Sequence, residues 1–339
     1  MKTLLALDSF KGCLTASEAV EAAASALPCG QAVSLPLSDG GEGFTDCLVS
    51  ALGGTYCYAT VHDSIGRPVK VKYGLVHNGR TAVVETAAAS GITCLEESER
   101  NPLIASSYGT GELIKYAVEQ CVEQIYIGLG GTATMECGSG LLKALGTLPP
   151  TVRIHAFYDV DIPLMDAPAL FGPQKGADEA AVLELERRFL RQIVEWKSVF
   201  GVDANLLPGA GAAGGIGAAL SVCLGATMHE GINAVLEAVC FPERLEGCGL
   251  VITGEGKADR QTLSGKVPFG VLRATRKYAP GTPVVLMAGK VEDREALLSA
   301  GFDAVLQVTP EEQMKGNYLE KSLAMENLRH AVRSLQNRD

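Results

Sequence analysis

The 339-residue chain is poor in aromatic residues, which make up 6% of it, and it has a single tryptophan. No apolar run approaches the ~20 residues of a membrane-spanning helix, so neither a span nor a membrane partner is expected. Basic residues are in the minority: 29 Lys and Arg face 39 Asp and Glu, a formal net charge of -10. That balance excludes a general nucleic-acid surface, which needs a basic stripe to neutralise phosphates. A small anionic substrate in a locally basic pocket stays open. The 10 cysteines include no C-x-x-C pair and the 5 histidines are equally scattered, which excludes a disulfide framework and a clustered zinc site. The thiols are expected to be reduced and used as small core residues. The opening apolar stretch, residues 3–7, is too short for a secretory h-region and runs into Asp8, so a cytoplasmic protein without a signal peptide is expected. A Walker A loop is missing too, because Gly265-Lys266 lacks the upstream glycine and the following hydroxyl.

Glycine, at 39 residues, is plentiful, and much of it falls in short runs with charged and hydroxyl residues. These are DSFKG (8–12), SDGGEG (38–43), GLGGTAT (128–134), FGPQKGA (171–177) and TGEGKADRQTLSGK (253–266). Glycine lets backbone N–H groups approach an anion closely, while Lys, Asp and Glu handle phosphate charge and metal. Each run follows an expected strand, and together they point to a phosphate-handling enzyme.

The length suits about two domains. Residues 3–7 and 32–37 read as buried parallel strands around a helix that starts at the capping box Thr15-Ala16-Ser17-Glu18. A second helix runs to about Leu52 and ends at Gly53-Gly54. From 57 to 94 the character changes: strands at 69–73, 75–77 and 81–86, with Asn78-Gly79 as a hairpin signal, form a mixed or antiparallel patch. Helical spacing returns after Gly111, strands are expected at 124–129 and 152–158, and 180–199 reads as a long amphipathic helix with Trp196 in the core. The last third alternates strand 250–253, helix 267–278, strand 283–288, helix 292–300, strand 304–308 and a final helix. The shared βαβ rhythm of both ends predicts an α/β fold. Its parallel doubly wound domain, flavodoxin- or Rossmann-like, comprises 1–55 plus 240–339, and a second mixed α/β domain, 56–239, is inserted. The segment 110–150 fits either.

Several positions are placed for chemistry. Gly209 to Gly214 matches the dinucleotide fingerprint by letter, but Pro208 and the poor strand at 203–207 break its required context, so neither nicotinamide nor flavin is expected. A helix start packed tightly or lining a ligand at Gly211 and Gly214 is the better reading. Lys11, beside Asp8 and Ser9, follows a strand end where open α/β sheets bind ligands. Asp39 and Glu42 hold Mg²⁺ or accept a proton, or else cap the helix after them. Gly130, Gly131 and Thr132 have the setting of an anion nest, with Lys175 as a second phosphate cation. Asp159 and Asp161 close the strand before that lysine. Gly254, Glu255, Lys257, Asp259, Ser264 and Lys266 form the densest polar cluster.

Read together, these runs resemble the bacterial type-1 glycerate kinase family (glycerate 2-kinase-like). DSFKG, SDGGEG, AAASG (87–91), GTGELI (109–114), FGPQKGA, PGAGAAGG (208–215) and VITGEGKADRQTLSGKVP (251–268) look like its signatures and follow its order over nearly the whole chain. The resemblance implies ATP-dependent phosphorylation of D-glycerate with Mg²⁺, most often to 2-phosphoglycerate. It implies two α/β domains with the active site in the cleft between them. Catalysis then falls to Lys11, Asp39, Glu255 and Lys266. Substrate or phosphate binding falls to Asp8, Ser9, Ser90, Gly130, Gly131, Thr132, Lys175, Gly211, Gly214, Gly254 and Ser264, and magnesium to Glu42, Asp159 and Asp259. The expected partners are the small molecules glycerate and ATP, for a monomer or homodimer. Tyr108, Met135 and Glu136 depart from the family pattern and the segment after Gly146 is shorter. A kinase of a related hydroxy acid, or a non-catalytic ligand-binding relative, therefore stays open.

Overall fold

The computed structural model describes residues 2–315 and 320–336. In chain order the strands begin with β1 (Lys2–Leu7) and β2 (Ala32–Pro36). A run of six follows: β3 (Thr55–His62), β4 (Pro68–Val76), β5 (Thr81–Glu85), β6 (Gln124–Leu129), β7 (Arg153–Tyr158) and β8 (Thr227–Glu230). The last three are β9 (Cys248–Ala258), β10 (Val284–Val291) and β11 (Ala304–Gln307). The chain divides into two compact units, Met1–Asp39 with Ile232–Asp339, and Gly40–Gly231.

The first unit has an all-parallel sheet in the order β11-β10-β9-β1-β2. Counted within the unit, this is the flavodoxin-like order, in which the strand sequence reverses between β1 and β9. Leu5, Leu7, Ile252, Val285 and Met287 share one face and bury against Val20 and Ala23 of helix Ala16–Ala24 and against Leu328 and Val332 of helix Lys321–Gln336. The expected capping box starts the first of these helices: the Thr15 hydroxyl accepts from the Glu18 N–H, and the Glu18 carboxylate accepts from the Thr15 N–H. Helix Val267–Tyr278 packs on β9, β1 and β10 outside that cluster.

In the second unit the sheet order is β3-β4-β5-β6-β7-β8, antiparallel from β3 to β5 and parallel from β5 to β8. Helices Tyr108–Glu119, Ser139–Leu145 and Ile216–Leu224 cover one face, burying Leu113, Ile114, Leu141, Ile216 and Leu220 on Ile125, Ile127 and Ile154. Helix Glu179–Phe200 starts at Asp178, whose carboxylate accepts from the Ala181 N–H, and buries Leu185, Phe189 and Ile193 together with Trp196, the core residue expected of it.

The structure corrects some expected elements. β3 and β8 were not anticipated: β3 is a sheet edge with much of its length exposed, and β8 spans only four polar-leaning residues, so neither shows a buried apolar run. Residues 75–77 do not form a strand of their own, since β4 continues to Val76, and β5 stops at Glu85 because Thr86 opens helix Thr86–Ser90. β9 runs past the expected end at 253 to Ala258, held by pairing of Glu255, Lys257 and Ala258 with Ala288, Lys290 and Val291 of β10. Helix Phe44–Leu52 packs on β4 and β5 and so belongs with the second unit, as does segment 110–150; the boundary expected after residue 55 lies one helix earlier, after Asp39. All ten cysteines are free, but only Cys47, Cys137 and Cys248 are buried, while Cys29, Cys94, Cys121 and Cys240 are exposed. Among the described residues no helix is long and apolar enough to cross a membrane.

Candidate active site

Backbone constraints place the first unit's polar residues at the reversal between β1 and β9. The ladder pairs Leu7 with Gly254, and the Asp8 N–H extends it by donating to the Gly254 carbonyl at 3.0 Å. Next, a tight turn closes through Phe10 N–H to Leu14 O at 2.8 Å and Leu14 N–H to Phe10 O at 3.0 Å, leaving Lys11 exposed near its tip. Gly256 lets that turn lie on β9, because a Cβ there would stand 3.0 Å from the Lys11 nitrogen.

Burial and neighbouring carboxylates raise the proton affinity of Asp8. Asp8 is buried and accepts from the Ser9 N–H at 2.6 Å. Its burial, the nearby Asp39 and, to a lesser degree, Glu255 hold it well above the ordinary aspartate range, against the pull of the Ser9 hydrogen bond and Lys11. Burial also raises Glu255, which accepts from the Thr262 hydroxyl at 2.6 Å and has the Lys266 ammonium 3.5 Å away. Lys266 immediately precedes helix Val267–Tyr278, whose first N–H groups favour an anion. Lys257 is engaged with Asp259 at 3.3 Å and Glu292 at 3.0 Å. Asp259 caps the short turn Arg260–Ser264 by accepting from the Gln261 N–H, and Ser264 is exposed at its end.

The second unit gathers its candidates at the carboxyl ends of β5 and β6. Ile92 N–H donates to Gly131 O and Ala133 N–H to Ser90 O, both at 2.8 Å, which ties the 87–91 run to the 128–134 run. Ser90 is fully buried with its hydroxyl 2.7 Å from that of Thr110. Gly214 is required for close packing: a Cβ there would stand 1.9 Å from the Thr134 carbonyl oxygen. Its loop is fixed further by Gly209 N–H donating to the Asp161 carboxylate at 2.9 Å and Gly211 N–H to Ile162 O at 3.2 Å. Beneath the 130–134 turn lies Lys175, 4% exposed, donating to the Thr132 hydroxyl at 3.2 Å and the Thr134 carbonyl at 3.0 Å. Burial pushes its ammonium down to about 7.

Two residues of this unit escaped the sequence reading as site-builders. Glu85 accepts from Thr45 N–H at 2.6 Å and Gly43 N–H at 3.3 Å, capping helix Phe44–Leu52, which has no side-chain cap of its own. Burial pushes its carboxyl up to about 7. The available signal was a carboxylate closing the otherwise apolar strand TAVVE. Glu136, noted only as a departure from pattern, accepts from Ser107 N–H at 2.6 Å, Gly140 N–H at 3.1 Å and the hydroxyls of Ser106, Ser107 and Ser139. It thereby fixes the starts of helices Tyr108–Glu119 and Ser139–Leu145.

The expected residues thus fall into two groups. Asp8, Ser9, Lys11, Asp39, Gly254, Glu255, Asp259, Ser264 and Lys266 belong to the first unit. Glu42, Ser90, Gly130, Gly131, Thr132, Asp159, Lys175, Gly211 and Gly214 belong to the second. Among the described residues no three His, Cys, Asp or Glu side chains are arranged to hold a metal. The repulsion that Asp39 and Glu255 exert on Asp8 is nonetheless what a cation relieves. A magnesium ion carried by a nucleotide needs only one or two protein carboxylates, and this set fits it.

The glycerate kinase family model matches residues 3–149 and 147–338. The chain is 37% identical to the glycerate 2-kinase of Escherichia coli (strain K12) over 94% of each chain. It is 38% identical to the glycerate kinase of Bacillus subtilis (strain 168) over 91% of each. A crystal structure of a Salmonella typhimurium LT2 protein assigned as glycerate kinase 2 superimposes with a TM-score of 0.84 at 35% identity, covering 100% of this chain and 98% of that one.

Proposed function

Because the chain belongs to the glycerate kinase family, and is a kinase that acts on an alcohol group, we propose that it transfers the γ-phosphoryl group of ATP to a hydroxyl of D-glycerate, giving 2-phosphoglycerate. The observation that carries this reading is the gathering of Asp8, Lys11, Glu255 and Lys266 at the β1/β9 reversal, on the carboxyl side of the sheet. Phosphoryl transfer asks little covalent chemistry of a protein and much positioning and charge neutralisation.

Each residue has a distinct part in it. Lys11, carried on a hydrogen-bonded turn, and Lys266, at a helix N-terminus, offset phosphate charge. Glu255 keeps a raised proton affinity in its buried setting and accepts the proton of the attacking hydroxyl; the Thr262 hydroxyl orients the carboxylate. Asp8 and Asp39 would hold magnesium, which when bound neutralises charge on the nucleotide's phosphates. Incubation with Mg-ATP and a panel of small hydroxy acids tests the proposal. Phosphorylation of D-glycerate at its 2-hydroxyl is the expected outcome. Turnover confined to another acid overturns the acceptor, and nucleotide binding without turnover overturns the activity.

A further inference from the structure

The second unit contains a buried cation, Lys175, that no carboxylate accompanies among the described residues. Among the described residues Lys175 makes hydrogen bonds only to the Thr132 hydroxyl and the Thr134 carbonyl, and burial is the cause of its lowered proton affinity. An ammonium donates and cannot accept, so Thr132 Oγ1 is the acceptor here and its own hydrogen is left to donate elsewhere. Thr134 has a fully buried hydroxyl without a partner among the described residues. Above them Gly131 is exposed with a φ of 62°, and the N–H groups of Gly131 and Thr132 meet no protein acceptor among the described residues. Unpaired buried polar groups are costly, and native proteins match them with an ion, water or ligand. Two backbone donors, a hydroxyl and an amine around one turn complement an oxyanion.

We infer that the Gly130–Thr134 turn, with Lys175 beneath it, is an oxyanion site that takes up a proton from solvent as its anion enters. Near neutrality the lysine is divided between amine and ammonium, and an arriving negative charge favours the ammonium. The turn itself carries no titratable side chain. The residue against the neighbouring Gly176 is Arg100, which meets it through its backbone and Cβ, so the uptake belongs to the lysine. Either the carboxylate of the acceptor or a phosphoryl group of the nucleotide supplies the required charge. The identity of the anion, though not the existence of the site, rests on the kinase reading.

Isothermal titration calorimetry of the whole chain at pH 8, in two buffers of different ionisation enthalpy, tests this with D-glycerate, ADP and inorganic phosphate as separate probes. The expected result is uptake of about one proton per anion, with affinity falling about tenfold per pH unit above neutrality. Uptake with D-glycerate assigns the carboxylate; uptake with ADP or phosphate assigns the phosphoryl group. Lys175→Arg, which fixes the charge, is expected to bind without uptake and with a flat pH profile. Should that variant fail to fold, as judged by its melting curve, Lys175→Met provides the same loss of uptake. Heats that do not depend on buffer in the native protein, or uptake that persists in either variant, overturn the inference. Turnover of D-glycerate with buffer-independent heats would sink this inference alone, whereas proton-linked carboxylate binding without turnover would sink the kinase reading alone.

Discussion

The Thr262 hydroxyl donates a 2.6 Å hydrogen bond to Glu255 Oε1, tying the acidic residue of β9 to the turn that follows the strand. With Lys266 3.5 Å from the other carboxylate oxygen, Glu255 is held from both sides. Glu255→Gln preserves this packing but removes the proton acceptor, and kcat/KM for phosphoryl transfer is expected to fall at least about tenfold. Thr262→Val, which releases only the orientation, is expected to cost less than Glu255→Gln. An unaltered kcat/KM in Glu255→Gln takes that residue out of the chemistry.

Lys11 sits on a turn that touches β9 only because residue 256 is glycine. Lys11→Ala is expected to lower kcat/KM at least about tenfold while the melting temperature stays put, since the side chain is exposed. Gly256→Ala, which pushes the turn away without removing the charge, should lower activity in the same direction. Native kinetics in both variants would show that the turn plays no part.

Glu85 makes stability depend on pH. Its carboxyl titrates near 7 in the folded chain, above the ordinary value of 4.5, so the folded state holds a proton that the unfolded state has already lost. Stability contributed at this position therefore falls as pH rises from about 4.5 to about 7, by roughly 1–3 kcal/mol. Glu85→Gln keeps an acceptor for the helix N-terminus and should flatten that slope. Denaturant melts at pH 5 and pH 8 measure it, and identical slopes in the two proteins would refute the assignment.

The opposite sign applies to Lys175. Its ammonium loses its proton near 7 when folded instead of 10.5, so the unfolded state binds the extra proton between those values and stability rises with pH there. Lys175→Met is expected to melt higher than the native protein at pH 7, with the gain shrinking towards pH 10. A variant less stable at every pH would show that the two hydrogen bonds outweigh the burial of charge.

Gly214→Ala places a methyl group 1.9 Å from the Thr134 carbonyl at a φ of 67°. The loop or the 130–134 turn must shift, and a loss of about 1–3 kcal/mol is expected in denaturant unfolding. Unchanged stability would mean that this contact is slack.

What the sequence by itself determined is whatever depends on near neighbours along the chain. The Thr15–Glu18 capping box, the buried runs of β1 and β6, the Asn78-Gly79 turn and the glycine-flanked charged runs are local patterns, and each was legible without coordinates. Only the tertiary structure decided that β9 continues through Glu255 to Ala258, because a strand with polar residues exists by virtue of its partner β10. It alone decided that Lys175 is buried rather than a solvated loop cation, and that Glu85 caps a helix 40 residues away in the chain. Burial and cross-chain hydrogen bonding are set by which distant segments pack together, and they fix protonation, which residue type and spacing leave undetermined.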